Sequence, residues 1–208
     1  MKFFKQLMFV LALVCSMQAS AQSVLGKDYT RLSQTQPTRP GNKVEVLEFF
    51  FYGCSHCYHL HPFLSAWEKK IPKDVELQYV PVIFRDNWEP MARTLYALEV
   101  LGQRDKLHDD LFKAWNVSNI DLSGESQVAN FVSQRGVDRN KFAEAYNSFA
   151  VSSKVIRCSQ MQESYQIRGT PTIVVDGKYT ITGLQPADMI RVLNDVIDVA
   201  RKERAGKH

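Results

Sequence analysis

The stretch Val44-Glu45-Val46-Leu47-Glu48-Phe49-Phe50-Phe51-Tyr52-Gly53-Cys54-Ser55-His56-Cys57 reads as a strand, a turn and a helix start, with two thiols three positions apart where the helix begins. Residues 44–52 form an almost unbroken apolar run rich in Val and Phe, the pattern of a strand buried on both faces, and Gly53 breaks it. A helix is predicted over 57–70, and Cys54, just before it, is read as its N-cap. The first turn of a helix has backbone N–H groups without intrahelical partners and carries the positive end of the dipole. A sulfur there is biased toward thiolate, the nucleophilic form. Cys54 is therefore expected to be the attacked and attacking sulfur, and Cys57, one turn in and less open to solvent, the resolving one. His56 stands between them, where a cationic ring or a ring N–H can stabilise a thiolate. The pattern points to disulfide exchange.

Two other uses of such a pair are open to inspection. A zinc half-site would draw on His59 and His61, but a structural zinc normally takes four ligands in recognisable spacing, and the chain has no second Cys-x-x-Cys. Haem attachment would need histidine where Tyr58 stands.

Working outward, residues 75–82 alternate like a half-buried strand and complete a βαβ unit with the first strand. Leu60, Phe63, Leu64 and Trp67 lie at helical spacing and are expected to face the core, and Pro62 is expected to kink that helix. From 88 to 165 the pattern is helical only, with helices predicted over 89–101, 105–115, 125–134, 138–149 and 151–165. Cys158 shares a face with Val151, Val155, Gln162 and Tyr165 and reads as a thiol filling the core. Strands follow at 172–175 and 179–182, joined by a turn at Asp176-Gly177, then a helix over 187–201 and a charged tail from 202 expected to fray.

The first residues set the compartment. Lys2 and Lys5 precede an apolar run from 7 to 15, and Ala19-Ser20-Ala21 offers small residues for cleavage, so 1–21 reads as a signal peptide too short to span a bilayer, which takes ~20 apolar residues. Cys15 lies within it, preceded by Val14 where lipid attachment would need a small residue. Removing 1–21 takes away two lysines and no acid, lowering the formal charge from +4 to +2, a balance that calls for no nucleic acid. Three cysteines remain, too few to staple a small secreted domain. An exported protein that keeps a Cys-x-x-Cys pair without a disulfide framework of its own fits a role in handling the disulfides of others.

Glu48 interrupts the apolar strand. Buried and unpaired, an ionised carboxylate would cost several kcal/mol and would tend to stay protonated. The alternative is that one face of the strand reaches water.

With Glu48-Phe49-Phe50-Phe51-Tyr52-Gly53-Cys54-Ser55-His56-Cys57-Tyr58 at one end and Ile167-Arg168-Gly169-Thr170-Pro171-Thr172-Ile173-Val174-Val175-Asp176-Gly177-Lys178-Tyr179 at the other, the chain resembles the DsbA family of periplasmic thiol:disulfide oxidases. The resemblance implies an α/β class, a thioredoxin-like fold formed by 22–86 and 166–208 with an all-helical subdomain, 87–165, inserted. It implies that Glu48 is the buried acid beneath the active site, moving the proton of Cys57. It further implies a cis Thr170-Pro171 bond holding the Thr170 backbone beside Cys54, free to pair with an extended substrate. The implied protein is a monomer of the periplasm without cofactor or metal. It would oxidise unfolded exported polypeptides and be re-oxidised by a DsbB-type quinone-linked membrane partner. Ser55 stands where the family commonly has proline, and Thr170 where its oxidase branch often has valine, which bear on redox potential and partner choice. A disulfide isomerase or reductase of the same compartment is the nearest alternative; a peptide-binding chaperone with incidental cysteines is one from another class.

Overall fold

The computed structural model describes residues 22–206, so the expected signal peptide, with Cys15, and the final His208 lie outside it. Five strands form one mixed sheet in the order β1-β5-β4-β2-β3: β1 Thr30–Arg31, β2 Val44–Phe50, β3 Val75–Pro81, β4 Thr172–Val175 and β5 Tyr179–Thr182. β2 pairs in parallel with β3 and antiparallel with β4; β4 with β5 and β5 with β1 are antiparallel. The short edge strand β1 was not anticipated, because two polar residues carry no periodicity; Thr30 is held by its hydroxyl against that of Thr180.

Every residue of β2 is buried, as its unbroken apolar run requires of a central strand. It ends at Phe50 rather than at Tyr52: its last partner on β3 is Pro81, and the Phe51 carbonyl instead accepts the N–H of Cys54, closing a turn over Tyr52 and Gly53. β3 does not alternate as expected; its middle is half-buried and its end is buried.

Helix α1, Ser55–Glu68, follows that turn and connects β2 to β3, running on through Pro62. It buries Cys57, Leu60, His61, Leu64 and Trp67, while Phe63 is 46% exposed. The buried stripe is centred between Leu60 and Leu64 and takes in His61, which leaves Phe63 on its far margin. Five helices lie between β3 and β4: α2 Glu89–Val100, α3 Arg104–Asn116, α4 Glu125–Ser133, α5 Arg139–Tyr146 and α6 Phe149–Ser164. Phe149 belongs to α6 rather than to the helix before it, because Ser148 caps α6 through its hydroxyl, which accepts the Val151 N–H. Cys158 is 1% exposed within α6 and burial pushes its thiol up to about 11, the state of an inert core residue.

The turn between β4 and β5 is closed by the Lys178 N–H on the Val175 carbonyl and places Asp176 and Gly177 at φ 55° and 63°, left-handed values that Asp and Gly tolerate. The last helix, α7, spans Pro186–Ala205 and packs on the sheet and on α1, where Trp67 Nε1 donates to Asn194. Its C-terminal turn does not fray at 202 as expected. Glu203 accepts from Lys178 and Tyr179, and Arg204 pairs with buried Asp176, so the end of α7 is tied to the hairpin. Among the described residues no helix is long and apolar enough to cross a membrane.

Candidate functional site

Cys54 is the N-cap of α1 in extended conformation, and its sulfur accepts the Cys57 backbone N–H at 3.4 Å. On its other side it lies 3.4 Å from the Thr170 carbonyl, to which the thiol S–H donates. The Thr170-Pro171 bond is cis, and Pro171 is buried. The two ends of the sequence signature, 116 positions apart, therefore meet at one sulfur.

The thiols differ sharply. Cys54 is half-buried and its pKa is pulled down to about 5. The largest cause is a hydrogen bond from the Cys57 thiol; the Thr170 hydroxyl and the backbone N–H groups of Cys57 and His56 add to it, and together they outweigh burial. Cys57 is fully buried, and burial, reinforced by its bond to Cys54 and by the nearby Glu48 charge, holds its thiol well above the ordinary range. What His56 contributes here is its backbone N–H, while its side chain is exposed.

Glu48 is buried, 1% exposed, and its Oε1 has no hydrogen-bond partner. Desolvation, then the charges of Cys54 and Glu68, push its pKa up to about 8, so it holds its proton at neutral pH. β2 places it opposite Tyr79 of β3 and Ile173 of β4, on the same face as Phe50.

Two groups of residues near the site carried no readable signal in the sequence. Phe51, directly before the turn, stacks on Trp88 with ring centroids 3.8 Å apart and meets Trp115 edge-on. His61 and His108 are both buried, and His108 Nδ1 shares a 2.6 Å hydrogen bond with the Tyr52 hydroxyl. His59 stays exposed. Among the described residues no group of three or more His, Cys, Asp or Glu is placed to hold a metal ion. A cleft of about 650 Å³ is lined by His56, Leu60, Thr170, Pro171, Leu184 and Met189 among others.

A family model described as a DSBA-like thioredoxin domain matches the chain over residues 45–193, a span that holds Cys54, Cys57 and Pro171. The chain belongs to that family. It is 39% identical over 188 residues to the thiol:disulfide interchange protein DsbA of Burkholderia cepacia, covering 89% of this chain and 88% of the relative. The crystal structure of Pseudomonas aeruginosa DsbA superposes with a TM-score of 0.82 at 32% identity, covering 89% of this chain and 96% of that one. Reduced DsbA1 from Neisseria meningitidis does so with a TM-score of 0.82 at 29% identity, over 89% and 99%. The DsbA-like fold is thus a thioredoxin-like α/β fold, and the chain is a thiol:disulfide oxidoreductase.

Proposed function

We propose that the protein works in the oxidising direction, introducing disulfides into exported polypeptides in the periplasm, and that the inequality of the two thiols carries this direction. In the oxidised form a substrate thiolate attacks Cys54 Sγ; the Cys54–Cys57 bond breaks and Cys57 leaves as a thiolate. Because burial keeps the Cys57 pKa high, that thiolate takes up a proton, and protonated Glu48 is the nearby acid on offer. A second substrate thiolate then attacks the substrate sulfur of the mixed disulfide and releases Cys54 as a thiolate, a good leaving group at its lowered pKa. Two electrons have moved from substrate to protein, and the product is the dithiol.

Stabilising the Cys54 thiolate stabilises the reduced form, which makes the disulfide oxidising. In this reading the exposed His56 ring adds to that stabilisation, and the Thr170 backbone pairs with an extended substrate lying across Cys54. Residues 22–86 and 166–208 carry the chemistry and 87–165 is a helical insertion. The protein acts as a monomer, and a DsbB-type quinone-linked membrane oxidase restores the disulfide. The relatives support it by name, each being called a thiol:disulfide interchange protein.

Pre-oxidised protein mixed with a reduced two-cysteine peptide tests the direction. One peptide disulfide per protein is expected to form, followed by mass spectrometry, with Cys54→Ser inactive. A peptide left reduced while the protein keeps its disulfide would overturn the oxidase reading.

A further inference from the structure

Phe51, Tyr52 and Gly53 precede the nucleophile, and α3, which comes from the helical block between β3 and β4, holds the first two of them. Trp115 packs edge-on against Phe51, His108 binds the Tyr52 hydroxyl, and Asn116 Nδ2 donates to the Tyr52 backbone carbonyl at 2.8 Å as well as to its own helix at Phe112. We infer that Asn116 is a positioning residue for the reaction, locking the peptide between Tyr52 and Gly53 in the one orientation that keeps Cys54 on the helix N-cap.

Gly53 sits in a crowded turn. A Cβ added there would lie 2.4 Å from the Phe51 ring and 2.8 Å from the Trp115 indole, so the position is glycine for want of space. It is not glycine for a left-handed backbone, since its φ lies outside that region. The turn from Phe51 to Cys54 is closed by the Cys54 N–H donating to the Phe51 carbonyl at 3.0 Å, which makes Tyr52 and Gly53 its two central residues. Such a turn has two forms related by a flip of the central peptide. One has negative φ at its third residue; the other has φ near +80° there and is favoured by glycine. Here the packing that demands glycine also removes the usual barrier to the flip. The donor that holds the unflipped form is the Asn116 amide, because the flip would swing the Tyr52 carbonyl away from it.

The consequence reaches the sulfur. Cys54 gains its low pKa from bonds that need its N-cap position, the Cys57 thiol and N–H on one side and the Thr170 hydroxyl on the other. The flip itself leaves Phe51 and Cys54 where they are, but a turn released from Asn116 is no longer held against α3, and Cys54, its last residue, shifts with it relative to these donors. Asn116 thus acts on the thiolate through two backbone peptides and touches neither sulfur nor substrate.

The inference rests on Cys54 as the nucleophile and not on the direction of electron flow. It is tested by following thiolate absorbance against pH in the reduced, folded full chain. Asn116→Leu, of similar volume without a donor, is expected to raise the Cys54 transition by about one unit, a tenfold loss of acidity, and Asn116→Ala is expected to do the same should the leucine variant fail to fold. Asn116→Gln, which retains an amide, is expected to lie closer to the parent. Unfolding midpoints of the same variants separate packing from positioning. A folded Leu or Ala variant that is less stable but titrates where the parent does would overturn the inference. A parent that itself titrates as an ordinary cysteine would instead defeat the reading of Cys54.

Discussion

Cys57→Ser is expected to turn the protein into a trap that accumulates mixed disulfides with exported polypeptides, whereas Cys54→Ser traps almost none. The asymmetry follows from burial and charge. Cys54 is only half-buried, lies beside Thr170, and is ionised at neutral pH; Cys57 is fully buried and protonated. With Cys57 present, an attached substrate that fails to complete its own disulfide is released by a thiol one helical turn away. That step is intramolecular, and losing it is expected to lengthen the life of the mixed disulfide by ~100-fold or more. Non-reducing gels of the exported fraction, with the attached proteins identified by mass spectrometry, measure it. Equal trapping by the two serine variants would show that position in α1 does not divide the roles.

Glu48→Gln is expected to stabilise the reduced protein while slowing it. The Glu48 pKa in the folded state, about 8, lies above its ordinary value of 4.5. Below pH 4.5 the acid is protonated in both folded and unfolded chains and costs nothing. Between 4.5 and 8 the unfolded chain ionises while the folded one does not, so the parent loses stability steadily as pH rises, and above 8 the loss is constant. At about 1.4 kcal/mol per unit the glutamine variant gains roughly 3 kcal/mol over the parent at pH 7. Urea unfolding of both proteins from pH 4 to 9 reads this directly, and a stability difference independent of pH would show that Glu48 is ionised in the fold. The same substitution removes the acid proposed to protonate departing Cys57. Substrate attack on the disulfide is expected to slow by ~100-fold, the lower end of what general acid catalysis supplies.

These predictions draw on residues of unequal legibility. Cys54, Cys57, Thr170 and Pro171 could be read because each sits in a local signature: a strand, glycine and helix start, or a proline opening a strand. Glu48 was legible as a polar interruption of an apolar run. Asn116 was not, since a lone asparagine late in a helix looks like any solvated one, and its partner, the Tyr52 carbonyl, lies 64 positions away. His108 reads in the same way as a surface histidine until α3 is folded against β2 and α1. The extension of α7 to Ala205 was hidden for a related reason. Residues 202–205 have the composition of a frayed end, and only the docking of Glu203 and Arg204 on Lys178, Tyr179 and Asp176 makes them helical. Local chemistry wrote the site, and long-range contacts wrote its supports.

The account rests on the claim that the Cys54 thiolate is stabilised enough to make the disulfide an oxidant. An ordinary thiol with a pKa near 9 is about 1% ionised at pH 7, whereas Cys54 at about 5 is almost wholly so. Ionisation therefore favours the reduced form by up to ~100-fold, some 60 mV at about 30 mV per decade, less what solvent screens at a half-exposed sulfur. Titration of the Cys54/Cys57 couple against glutathione at pH 7, read by alkylation and mass, measures the balance. Half-oxidation is expected above about −150 mV, more oxidising than the roughly −180 mV of a disulfide isomerase; a midpoint at or below the isomerase value would contradict the oxidising direction.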